Sequence, residues 1–189
     1  MKISNISADI TKELQETVAA IDDAQAELLA DKIVGAKRIF LAGAGRSLLM
    51  VKCCAMRLMQ LGFTAYVTGE TVTPSITKDD LLIVVSGSGE TGTIVLMTNK
   101  AKKIGAEVAC ITIAPESSVG RAADLVIQIN AASTKLADNS TQAPSIQLGG
   151  ARFELSVLLL LEGIVMAVVE KAGIKDPNVL LMQNHANLE

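Results

Sequence analysis

Two apolar runs in this chain each end in a glycine-rich turn and pass directly into a helical pattern, and that pairing limits the fold more than any other feature. Leu81-Leu82-Ile83-Val84-Val85 runs into Ser86-Gly87-Ser88-Gly89-Glu90-Thr91, and helical spacing follows over 93–104. Ile39-Phe40-Leu41-Ala42 runs into Gly43-Ala44-Gly45-Arg46-Ser47 and a second helical stretch. A strand that turns into a helix in this way aims the unpaired N–H groups of the first helical turn at the space beyond the strand. Glycine lets the main chain approach an anion closely, and Ser and Thr hydroxyls add neutral donors. The hexapeptide therefore reads as a phosphate cradle, with Ser86, Ser88 and Thr91 and the amides of Gly87 and Gly89 as ligands. Ser47 joins them from the first turn, beside Gly45 and Arg46. The plain alternative for a Ser or Thr at a helix start is N-capping. Three hydroxyls spaced by glycines on one turn favour binding. Arg46 suits a phosphate, a substrate hydroxyl or solvent equally. Glu90 is awkward beside a phosphate and is expected to turn away, toward the positive end of its helix.

The rest of the chain fits an α/β fold. Apolar residues recur at helical spacing over 8–34, as one or two leading helices. Strands are expected at 38–42, 64–67, 80–85, 107–113 and 124–129, with helices at 47–61 and 93–104. β-Branched strands without a polar face, alternating with helices, indicate a parallel sheet covered on both sides. The doubly wound order 2-1-3-4-5 would place strands one and three at the topological switch point, and both glycine-rich turns follow those strands. A chain of 189 residues, half of them hydrophobic, fits a single domain spanning 1–189. The stretch 131–150 is rich in Ser, Thr, Asn, Gln and Gly and reads as a long loop. The very apolar stretch 155–169 is interrupted by Glu162 and Gly163 and is too short for a membrane span, so it reads as a helix buried in its own core and against another subunit.

Several chemistries are excluded. The first turn begins like a dinucleotide fingerprint, but position 48 is Leu where Gly or Ala is needed for close packing. Glu70, near the place of a ribose-binding acid, lies in the turn Gly69-Glu70-Thr71. The second turn lacks the Gly-Lys-[Ser/Thr] ending of a nucleotide-binding loop. A net charge of −3, no basic run, no Trp, three Phe and one Tyr argue against nucleic acid. Cys53, Cys54 and Cys110 lie in apolar stretches and the single histidine, His185, is remote, so neither a metal nor an organic cofactor is expected. An odd number of cysteines and an N-terminal stretch without a hydrophobic block point to the cytoplasm.

With these residues in view, the two turns resemble those of the sugar isomerase (SIS) domain family, whose members bind phosphosugars. Ala42-Gly43-Ala44-Gly45-Arg46-Ser47, Ala55-Met56-Arg57-Leu58-Met59, Leu61-Gly62-Phe63, Gly69-Glu70-Thr71, Phe153-Glu154 and His185-Ala186-Asn187-Leu188-Glu189 are similar to the 6-phospho-3-hexuloisomerases of that family. The tail departs from them at Gln183-Asn184, where an Arg beside the histidine is expected. The resemblance implies a homo-oligomer, a tetramer, interconverting a 3-hexulose 6-phosphate and fructose 6-phosphate without cofactor. It implies Glu154 as the base that moves a proton through an enediol. On position alone a first-turn carboxylate suited to the helix dipole is the slightly better reading of Glu154, although a carboxylate against apolar walls can serve as a base near neutrality, and the match at Phe153-Glu154 reverses that order. It further implies that His185, otherwise a tail residue, reaches an active site of a neighbouring subunit to open the sugar ring or protonate an oxygen. Lys52, Arg57 and Lys135 read as surface or structural charge. Other phosphosugar isomerases and a non-catalytic phosphosugar-binding module are the rival readings.

Overall fold

In the computed structural model, residues 2–132 and 145–188 are described. Ile3–Val18 (α1) and Asp23–Gly35 (α2) lead the chain, and Asp22 caps α2 by accepting from the amides of Ala24 and Gln25. Then strands and helices alternate: Ile39–Gly43 (β1), Arg46–Gln60 (α3), Ala65–Val67 (β2), Leu81–Val85 (β3), Gly92–Ile104 (α4), Glu107–Thr112 (β4), Ser118–Ala122 (α5) and Leu125–Gln128 (β5). Ala151–Lys171 (α6) and Pro177–Gln183 (α7) close it. The strands form one parallel sheet in the order β2-β1-β3-β4-β5, the doubly wound order expected from the alternation.

Period-two burial divides the sheet into two faces. Ile39, Leu41, Ile83, Val85, Ile111 and Ile127 face α2, α3 and α6, whereas Phe40, Ala42, Val84 and Cys110 face α4 and α5. Each fully buried aliphatic side chain of this kind contributes about 1.5–3 kcal/mol. At the amino end of β3 the buried carboxylate of Asp80 accepts from Arg38 Nε at 2.9 Å and Nη2 at 2.6 Å, and from Thr77 N and Oγ1 at 2.6 and 2.8 Å. That network ties the segment before β3 to β1, at the end of the sheet opposite the glycine-rich turns.

The apolar helix α6 packs in the layer formed with α1, α2 and α3 and buries Phe153, Val157, Leu161, Ile164 and Val168. Leu159 and Met166 remain 47% and 65% exposed on its outer side. Among the described residues no helix is long and apolar enough to cross a membrane. The single turn of α5 was not foreseen: five residues are too few to show a period, and its start is marked only by Ser117, whose hydroxyl accepts from Gly120 N at 3.2 Å. Of the expected loop 131–150, residues 133–144 lie outside the described residues, and Lys135 with them.

Candidate active site at the switch point

Register brings the two turns side by side. β1 and β3 pair from Ile39↔Leu81 to Gly43↔Val85, so both chains leave the sheet at the same level. Gly43 makes the first turn possible, because a Cβ there would lie 2.9 Å from the backbone nitrogen of Leu48. The glycine needed for close strand–helix approach is therefore at position 43, and Leu48 is accommodated. At Gly45, φ of +57° turns the chain into α3 and aims the amino end of that helix at the crevice.

A cavity of about 300 Å³ opens between the turns. Gly45, Arg46 and Ser47 line it from the first turn and Ser86, Gly87, Ser88 and Thr91 from the second. The roof is Gly149, Gly150, Phe153 and Glu154, at the start of α6. Gly87 lies against the ring of Phe153, which a Cβ at this position would meet at 3.4 Å, in ordinary van der Waals contact.

The hexapeptide is held from within. Ser86 Oγ accepts from Gly89 N at 3.2 Å and Ser88 Oγ accepts from Glu90 N at 3.3 Å. Each hydroxyl thereby takes an amide proton inside the turn and retains its own proton to donate outward, the polarity an anion requires. Thr91 is the N-cap residue of α4, yet its hydroxyl makes no capping hydrogen bond. For this residue the capping alternative does not hold.

Two expectations need correction. Gly89 does not line the cavity: its amide bonds Ser86 within the turn, its φ is +62°, and a Cβ there would fall 1.8 Å from Ser117 Oγ. Its part is to shape the turn behind the cradle. Glu90 does turn away, but it serves α5 instead of its own helix, since Oε1 accepts from Ser118 N at 2.7 Å. That backbone bond, with a further side-chain bond to Ser118, holds its carboxyl below the usual carboxylate range.

Arg46 lines the cavity and reaches solvent, and it also has a protein partner that none of the three roles considered for it named. Its Nε donates to Glu154 Oε2, joining the first turn of α3 to the first turn of α6. The Arg46 side chain is 57% exposed and that of Glu154 only 15%, so the carboxylate is sheltered at the cavity wall while its partner reaches solvent. The crevice thus sets hydroxyls and amides suited to a phosphate opposite a carboxylate suited to moving a proton.

His185 is not brought to this cavity within its own chain. It is exposed beyond α7, and its neighbour Asn184 donates through Nδ2 to Gln60 O at 3.1 Å. Gln60 ends α3 and Arg46 begins it; 15 residues of helix separate the two ends by about 21 Å. Phe153, Gly149 and Gly150 were not expected as cavity residues. The Gly-Gly pair before an apolar helix was the available signal.

Comparison with known proteins agrees with this geometry. Residues 32–151 match the SIS domain. The chain is 41% identical to the 3-hexulose-6-phosphate isomerase of Bacillus subtilis (strain 168), over 100% of both chains. It is 38% identical to the enzyme of the same name from Mycobacterium gastri, over 99% of this chain and 92% of that one. Among solved structures, a Methanococcus jannaschii protein whose structure was described as inferring a 3-hexulose-6-phosphate isomerase function superposes with a TM-score of 0.80. It has 31% identity and covers 98% of this chain and 99% of its own.

Proposed function

The chain belongs to the SIS domain family, and from that premise we infer that it is a 3-hexulose-6-phosphate isomerase, interconverting D-arabino-3-hexulose 6-phosphate and fructose 6-phosphate. The observation that carries this reading beyond family membership is the placing of Glu154 across the cavity from the hydroxyl cradle. A phosphosugar-binding module needs only the cradle; an isomerase also needs a base within reach of the sugar carbons.

In this reading Ser86, Ser88, Thr91 and Ser47, with the amides of Gly87 and Gly45, hold the phosphate. Glu154 removes the proton from the carbinol carbon next to the carbonyl, which leaves an enediolate spanning the two carbons, and the carbinol hydroxyl passes its proton to the former carbonyl oxygen. The proton is then returned to the former carbonyl carbon, while the neighbouring hydroxyl becomes the new carbonyl. Atoms and electrons balance with no cofactor. Arg46 orients the carboxylate through their ion pair. Donors at the sugar oxygens stabilise the charge that develops on the enediol.

His185 acts from another subunit, opening the sugar ring or protonating an oxygen. Its distance from the cavity of its own chain supports this assignment. The whole chain works as one sugar isomerase unit within a homo-oligomer, a tetramer. Exposed Leu49, Met56 and Met59 on α3 and Leu159 and Met166 on α6 support self-association. The protein works in the cytoplasm, in keeping with three free thiols, of which burial pushes Cys54 and Cys110 up to about 12.

The decisive experiment incubates the protein with D-arabino-3-hexulose 6-phosphate and with arabinose 5-phosphate, and follows fructose 6-phosphate by a coupled assay. Formation of fructose 6-phosphate from the first alone is expected. Turnover of the pentose phosphate in its place would reassign the substrate.

A further inference from the structure

We infer that Glu13, on the leading helix, is a positioning residue for the isomerase site: it holds the Gly149-Gly150 turn and, through that turn, the Glu154 carboxylate. The inference rests on the reading of Glu154 as the base. Three donors converge on the Glu13 side chain from the segment that enters the roof of the cavity. Oε1 accepts from Ile146 N at 2.8 Å, and Oε2 accepts from Ser145 Oγ at 2.8 Å and from Gln147 Nε2 at 2.9 Å. One helical turn later, Thr17 is the single buried residue of α1. Thr17 Oγ1 donates to Glu13 O at 2.8 Å and accepts from Arg152 Nε at 2.7 Å, while Arg152 Nη2 donates to Glu13 O at 3.3 Å. A single turn of α1 therefore grips the chain on both sides of Gly149-Gly150, at 145–147 before the pair and at Arg152 after it.

That grip matters because, among the described residues, the glycine pair itself is closed by one backbone hydrogen bond, from Ala151 N to Leu148 O at 3.1 Å. Gly149 and Gly150 carry no side chains to pack, and the preceding Leu148 is 89% exposed. Gly149 has φ of +63°, a conformation held by its surroundings. The turn in turn bears on the base. Glu154 N donates to Gly150 O at 3.0 Å, and the Cβ position of Gly150 lies 3.7 Å from Glu154 Oε1. A displacement of the turn is passed to the carboxylate. The hexapeptide 86–91, between β3 and α4, makes none of these hydrogen bonds to Glu13, Thr17 or Arg152. For Glu13 itself, burial would raise its carboxyl; the hydrogen bonds from Gln147, Ile146 and Ser145, with the charge of Arg152, outweigh this and hold it below the usual range.

The test compares Glu13→Gln with the exchanged pair Glu13→Gln/Gln147→Glu. In the single variant one carboxylate oxygen becomes an NH₂ that opposes the Gln147 amide; in the double variant the carboxylate and the amide have exchanged places, and the bond can re-form. Two readouts are taken, steady-state kinetics on the hexulose phosphate and amide hydrogen exchange at Ile146 and Ala151. Glu13→Gln is expected to exchange faster at both amides and to lose about ten- to a hundredfold in kcat, with KM within about threefold, because misplacement of a reacting group acts on turnover. The double variant should recover both exchange protection and most of kcat. Faster exchange with unchanged kcat, or a rise in KM alone, would overturn the positioning role, and unchanged exchange would overturn the grip. Wild-type protein inactive on every sugar phosphate would instead defeat the isomerase reading. The exchange arm then still upholds or overturns the hold of Glu13 on the turn.

Discussion

Arg46 and Glu154 are 108 residues apart in sequence, yet Arg46 Nε donates to Glu154 Oε2 across the mouth of the cavity, pinning the start of α3 to the start of α6. The carboxylate proposed as the base is thereby oriented by a residue of the first glycine-rich turn. Glu154→Gln keeps the shape and removes the basic oxygen, and kcat is expected to fall by about 10²- to 10⁴-fold with KM little changed. Solvent deuterium incorporation into fructose 6-phosphate should fall in parallel. Turnover near normal would reassign Glu154 to the helix start.

For the cradle, Ser88→Ala removes one donor to a charged phosphate, a contribution of about 1.5–3 kcal/mol, so KM should rise at least about tenfold. Gly89→Ala should act differently. A Cβ against Ser117 forces the whole turn to move, and loss of phosphosugar binding should come with a lower melting temperature. Thermal unfolding with and without fructose 6-phosphate separates the two effects.

The sheet order and both turns could be read from the chain, because strand burial and glycine placement are local signals. Gly43 illustrates the limit. Its presence suggested a dinucleotide fingerprint, and only three-dimensional packing shows that this glycine admits Leu48. Glu90 was assigned to its own helix and Arg46 was left open among three roles because their partners, Ser118 and Glu154, are distant in sequence. Helix α5 was invisible to periodicity, being one turn long, and Glu13 gave no sign because its partners lie more than a hundred residues further along the chain.

His185 offers a test of shared sites. Truncation before Asn184 should abolish activity with the fold intact by circular dichroism. Mixing His185→Ala with Glu154→Gln after reversible dissociation should restore activity, since some mixed sites then hold both wild-type groups. No recovery in hetero-oligomers confirmed by mass would place His185 within its own subunit or outside the chemistry.

The proposed assembly uses the exposed apolar side chains of α3 and α6. Sedimentation at micromolar concentration should give an oligomer, and Met56→Glu with Met166→Glu should shift it toward monomer, because a charge in a desolvated apolar contact is costly. A stable wild-type monomer would refute self-association through this face.

Asp80 gives a stability prediction separate from activity. Its burial would raise the carboxyl, but hydrogen bonds from Arg38 and Thr77, with the Arg38 charge, hold it below its ordinary value. A depressed native value means that the stabilisation is complete above the unfolded carboxylate range and is lost as pH falls through the lower native value. Asp124, lowered by Lys102 and the Val108 amide against its own burial, acts in the same direction. Chemical denaturation should therefore show constant stability from about pH 6 to 5 and a decline below about pH 4. Asp80→Asn should flatten that decline and cost about 1.5–3 kcal/mol at neutral pH, with KM unchanged.

The lock between Gly89 and Ser117, with Glu90 fastened to α5, has an evolutionary reach. It fastens the hexapeptide proposed to hold the phosphate to β3, α4 and α5, while the carboxylate proposed to move the proton rides on α6 and is anchored through α1. In the proposed reading, grip by the hexapeptide and reaction at the roof rest on different elements, and the first turn meets both through Ser47 and Arg46. Mutations can remodel the roof that meets the sugar, altering which carbon is deprotonated or removing the base altogether, without disturbing the handle by which every phosphorylated ligand is held. A fold divided in this way is free to diversify in chemistry while its anchor stays fixed.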